Sequence, residues 1–75
     1  MNPLEQLEQT AFQLTQDLLQ QNTEIAWSKL IASAERGILR AALQQARGNQ
    51  TAAAACLRKN RNTLRERIAR HRLNV

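Results

Sequence analysis

Leu4, Leu7, Ala11, Leu14 and Leu18 recur at spacings of three and four, the period of one helix face. Phe12 and Leu19 widen that face. Asn2-Pro3-Leu4-Glu5 is a helix start, with Asn2 as N-cap, Pro3 at the first helical position and Glu5 three residues after the cap. The first helix is therefore predicted to begin at Pro3 and to fade at Gln20-Gln21-Asn22, with Asn22 or Thr23 capping the next helix. This second helix is predicted from about Glu24 to Ala46, with two apolar stripes. Trp27, Ile31, Ala34, Ile38 and Ala41 form one; Leu30, Leu39, Leu43 and Ala46 form the other. A helix with two apolar sides needs more than one neighbour. One side is assigned to the first helix and a second copy of the chain, the C-terminal part to the two short helices beyond it. Gly37, mid-helix, costs about 1 kcal/mol relative to Ala, so a bend or a close backbone crossing is expected there.

Beyond Ala46 the pattern shortens. Gly48 stands where a left-handed C-cap would end the second helix, and Asn49 is placed to cap a third over Gln50–Leu57. Arg58-Lys59-Asn60 interrupts the pattern, and Asn60 caps a fourth helix over Arg61–His71. Two short helices about a tight turn form a helix-turn-helix, whose second member enters the DNA major groove. The predicted fold class is all-α: four helices, two forming a dimerisation scaffold (residues 1–47) and two forming the reader (residues 48–75), in one domain. On the fourth helix Leu64, Ile68 and His71 share the side that faces inward, while Asn62, Thr63, Glu66, Ala69 and Arg70 lie opposite and Arg61 and Arg65 flank them.

Charge sharpens this division. Residues 1–46 hold three Lys/Arg against five Asp/Glu, net −2, whereas residues 47–75 hold eight against Glu66 alone, net +7. An acidic part joined to a strongly basic one fits a scaffold carrying a nucleic-acid reader. At 75 residues a domain buries little core, which makes oligomerisation expected. Its dimer interface is assigned to Leu4, Leu7, Ala11, Leu14, Leu18, Trp27, Ile31, Ala34 and Ile38. The N-terminal part of the fourth helix supplies the candidates for base or groove contact: Asn60, Arg61, Asn62, Thr63, Arg65 and Glu66. Arg suits guanine O6/N7, Asn suits adenine, and Glu can accept from cytosine N4. Arg47, Gln50, Thr51, Lys59, Arg70 and Arg72 are assigned to phosphates.

Enzyme chemistry lacks raw material: the chain has one His, one Cys, one Asp and no Tyr. No catalytic site, metal or cofactor is expected, and no small-molecule substrate. Cys56 is expected to be a buried structural thiol, and His71 to satisfy carbonyls at its helix end or touch phosphate. No apolar run approaches the roughly 18 residues that span a bilayer, and Met1-Asn2-Pro3 followed by Glu5 is unlike a signal-peptide start. The expected location is the cytoplasm.

GNQT at 48–51, the small-residue helix after it and NRNTLRERI at 60–68 resemble the Fis-type helix-turn-helix family. That family includes the nucleoid protein Fis and the C-terminal DNA-binding domain of NtrC-type regulators. The resemblance runs from about Ala42 to Leu73. RNTL at 61–64 and Glu35-Arg36 ahead of Ile38-Leu39 look closer to the NtrC branch. The resemblance implies an intertwined homodimer with a helix-turn-helix on each flank, which binds degenerate palindromic double-stranded DNA, bends it and reads groove width and deformability. By position it assigns DNA contacts to Gln50, Thr51, Asn60, Arg61, Thr63 and Arg65. Three residues depart from the family pattern. Arg58 replaces a turn Gly and is expected in a strained left-handed conformation; Lys59 replaces an apolar turn residue; Glu66 replaces a basic contact of Fis. The alternative to a transcription regulator is a helical assembly module whose basic end binds an acidic protein.

Overall fold

Three asparagines start three of the four helices. In the computed structural model, which describes residues 1–21 and 24–73, α1 spans Pro3–Gln20, α2 Trp27–Gln45, α3 Gln50–Cys56 and α4 Arg61–Arg70, with no strand among the described residues. The fold is all-α, as expected. Asn2 Oδ1 accepts the Glu5 N–H at 2.8 Å, and the Glu5 carboxylate accepts from Asn2 Nδ2 at 3.2 Å. Asn49 accepts from the Ala52 N–H at 3.0 Å, and Asn60 from those of Asn62 and Thr63 at 2.8 and 3.2 Å. Each cap satisfies donors that a helix's first turn leaves free. α2 starts at Trp27, three residues later than expected. Its first acceptor is the Ala26 carbonyl, and the apolar stripes gain no member before Trp27. The expected caps Asn22 and Thr23 lie outside the described residues. α3 and α4 each stop one residue short of expectation, at Cys56 and Arg70.

The chain divides into two compact units, residues 1–31 and 32–75. Within the first, α1 buries no residue, and Leu4, Leu7, Phe12, Leu14 and Leu19 are 56–77% exposed. Within the second, Leu39, Ala42 and Leu43 of α2, Ala53 and Ala54 of α3, and Leu64 and Ile68 of α4 form one core, with Ala46 and Leu73 at its margin. The alanines let α3 approach closely, and Leu64 is the largest fully buried side chain. Of the two stripes on α2, the Leu39–Leu43 side is the buried one. The other is open: Trp27 is 76% exposed, Ile31 and Ile38 45% each, and Ala34 and Ala41 are exposed as well. Cys56 is exposed, against expectation. It sits about 110° from the middle of the Ala53/Ala54 face at 3.6 residues per turn.

α2, α3 and α4 end in the same way. The Arg47 N–H bonds to the Gln44 carbonyl and the Gly48 N–H to that of Leu43; Arg58 and Lys59 repeat this with Ala55 and Ala54, and Arg72 and Leu73 with Ala69 and Ile68. These are Schellman motifs, whose left-handed position normally holds Gly. Here it holds Arg47, Arg58 and Arg72, at φ 53°, 51° and 53°. The strained conformation expected at Arg58 is present. At the end of α2 the left-handed cap is Arg47, and Gly48, also at positive φ (84°), comes directly after it. A left-handed non-Gly residue costs about 1–2 kcal/mol, part of which Gly returns as unfolded-chain entropy. Arg58→Gly is therefore expected to gain about 1 kcal/mol and to raise Tm by about 4–8 °C. A thermal melt with Tm unchanged or lower would count against strain at this turn.

Candidate nucleic-acid interface

α4 is held by its buried side. Leu64 and Ile68 anchor it in the core, and a second set of contacts ties its C-terminal end to α2. Glu35 Oε1 accepts from His71 Nε2 at 2.9 Å, Glu35 Oε2 lies 3.3 Å from Arg67 Nη1, and Arg36 donates to the His71 carbonyl. The His71 Nε2 is therefore turned to Glu35 and not to its own helix end, and 11% of its side chain is exposed. A carboxylate only accepts, so the His71 tautomer carries its proton on Nε2. Leu64, Arg67, Ile68 and His71 share the i, i+3, i+4, i+7 pattern of one helix face, the signal by which the sequence could have assigned Arg67 an inward role.

The His71 hydrogen bond, with the nearby Arg67 charge, lowers the Glu35 pKa from its ordinary 4.5, against the opposing effect of burial. A carboxylate with a depressed folded pKa stabilises fully above its unfolded value and loses that contribution as pH falls through the folded one. Glu35→Gln is expected to lower Tm at pH 7, with the gap closing as pH falls well below 4.5. A gap that persists unchanged in denaturation series at acid pH would rule out the carboxylate as its source.

The opposite side of α4 is open. Asn60, Arg61, Asn62, Arg65, Glu66 and Arg70 are exposed and Thr63 is half-buried. Asn60 spends its oxygen on two backbone donors, which leaves only Nδ2 to donate outward. That suits a single acceptor better than the two-bond pairing with adenine. Glu66 and Arg70 face each other at 3.4 Å across one helical turn, both exposed; such pairs contribute about 0.3–0.5 kcal/mol. Thr51 and Lys59 are exposed and Gln50 is half-buried at the first turn of α3. Arg47 and Arg72, also exposed, line a cleft of ≈ 510 Å³ with Arg36, Arg40, Leu43 and Leu73, to which no residue of α4's N-terminal end contributes.

Of the residues expected at a dimer interface, Leu4, Leu7, Ala11, Leu14, Trp27, Ile31, Ala34 and Ile38 are exposed and Leu18 is half-buried. No helix among the described residues is long and apolar enough to cross a membrane.

A model of the family described as bacterial regulatory protein, Fis family, matches residues 30–71. The match takes in most of α2 and both helices of the helix-turn-helix. No curated protein and no solved structure matches the chain.

Proposed function

Because the chain belongs to the Fis family of bacterial regulatory proteins and carries its DNA-binding helix-turn-helix, we propose that it acts as a homodimer that places α4 of each copy in the major groove of a degenerate palindromic site and bends the DNA. The observation that carries this reading is the two-sided character of α4. Leu64, Ile68, Arg67 and His71 fix one side, and Arg61, Asn62, Arg65 and Glu66 stand exposed near its N-terminal end, the part of a second helix that meets base edges. Arg61 and Arg65 contact guanine or flanking phosphates, and Thr63, Gln50 and Thr51 contact the backbone. Arg47, Lys59, Arg70 and Arg72 add phosphate contacts. The open apolar faces of α1 and α2 are the surface that a second copy covers. The whole 75-residue chain then works as one domain, a binding module and not an enzyme, on the nucleoid.

Fluorescence anisotropy with labelled duplexes across a salt series tests the reading. Log K is expected to fall with log[salt] at a slope of about −0.9 per neutralised phosphate. Affinity indifferent to salt, or equal binding to an acidic polypeptide and to duplex, would favour an assembly module with a basic end instead.

A further inference from the structure

We propose that the arginine-lined cleft between α2 and the end of α4 is a second phosphate-binding surface, which holds the DNA backbone flanking the segment that α4 reads. The proposal rests on the DNA-binding reading above and adds Arg36 and Arg40 to the contacts. Neither residue belongs to the helix-turn-helix.

Four arginines, Arg36, Arg40, Arg47 and Arg72, line this one concavity together with Leu43, Gln44, Gly48 and Leu73. No acid among the described residues lines it with them. Glu35, the nearest acid in sequence, is engaged by Arg67 and His71 instead. Four like charges gathered without a counter-charge repel one another, and an anion in the cleft would relieve that repulsion. Arg47 and Arg72 enter the lining from left-handed positions, at φ 53° each, a conformation that Arg58 shares outside the cleft.

The shape of the surface favours a polymer backbone over a compact ion. Arg36, Arg40 and Gln44 repeat every fourth residue along α2, and Arg47 continues the row past the helix end. The row from Arg36 to Gln44 is about 12 Å long, the axial length of about four phosphates on one DNA strand. At its far end Arg47 and Gly48 lead directly into Asn49 and the first turn of α3, where Gln50 and Thr51 are assigned to phosphate. The row thus extends the interface away from the reading helix. Its contacts add affinity and salt dependence but no base discrimination.

The test compares a duplex ending at the half-sites with one extended by about one helical turn, ~10 base pairs, on each side. Arg40 makes no side-chain hydrogen bond or ion pair among the described residues, so Arg40→Gln should leave the fold intact, whereas Arg36→Gln also removes the bond to the His71 carbonyl. In the dimer, Arg40→Gln is expected to reduce the salt slope on the extended duplex by about 1.8, one phosphate per copy, and to leave the short duplex unchanged. Equal effects on both duplexes, or none on the extended one, would overturn the proposal. So would tripolyphosphate binding lost in Arg40→Gln with extended-duplex binding intact, because the cleft would then serve a free phosphorylated ligand. Arg61→Ala is the control arm. If it weakens neither duplex, the failure lies with the reading helix and not with the cleft.

Discussion

Ile38→Asp is expected to unfold the protein, although in the single chain Ile38 is 45% exposed. Substitution at a surface position changes stability by about 0.5 kcal/mol or less. In a dimer core the same change would strand a carboxylate in apolar surroundings at a cost of several kcal/mol, and would forfeit most of the roughly 1.5–3 kcal/mol that a buried Ile contributes. A domain whose core has seven buried residues among those described cannot absorb that loss. Leu14→Asp on α1 is expected to act alike. Far-UV circular dichroism and sedimentation together decide the matter. Both variants remaining helical at the wild-type Tm, or the wild type sedimenting as a folded 8.5 kDa monomer at micromolar concentration, would refute the intertwined dimer. Gly37 supplies a second measurement. α2 runs unbroken through it, and a Cβ there would meet nothing within 4 Å in the chain. Gly37→Ala should then stabilise an isolated chain by about 1 kcal/mol; a loss of stability instead is expected where a partner's backbone crosses close by.

Local chemistry made the helix starts legible. Asn2, Asn49 and Asn60 cap from their own side chains, so their role depends on neighbours two or three residues away, and α1, α3 and α4 begin where expected. α2 has no such residue within the described stretch before it, and it begins three residues later than expected, at Trp27, the first member of its apolar stripes. The ends were harder to see. A Schellman motif advertises itself through Gly, and here the left-handed positions hold Arg47, Arg58 and Arg72. Only the departure at Arg58 from a family pattern exposed one of them. Cys56 shows the limit of composition as a guide, since a thiol's burial depends on where a seven-residue helix turns its face. The exposed face of α4 could be drawn on a helical wheel, but the link from Glu35 to Arg67 and His71 spans 32 and 36 residues. Charge signs alone do not pair groups so far apart. Arg36 and Arg40 entered the charge balance without a role for a related reason: their importance lies in sharing a cleft with Arg47 and Arg72, which a linear pattern does not display.

Arg61→Ala and Arg65→Ala are expected to weaken DNA binding strongly while leaving the fold alone. Both side chains are exposed, so each substitution should cost about 0.5 kcal/mol or less in stability. A two-bond contact to a base discriminates by about 1–3 kcal/mol. In the proposed homodimer the change falls in both half-sites, so the loss per complex is about 2–6 kcal/mol, roughly thirtyfold or more in Kd. The pattern across sequences separates the possible roles. A residue that reads a base loses discrimination at one position, whereas a phosphate contact weakens all sequences alike and lowers the salt slope by about 0.9 per site. Arg67→Ala serves as the contrast, since it breaks the tie to Glu35 and should lower Tm and affinity together. Glu66→Ala divides the remaining alternatives on the same helix. Release of Arg70 from its pair would strengthen binding to every duplex, whereas loss of an acceptor for cytosine would weaken binding to the preferred site only. If Arg61→Ala and Arg65→Ala both bind like the wild type, the N-terminal end of α4 is not the reading surface.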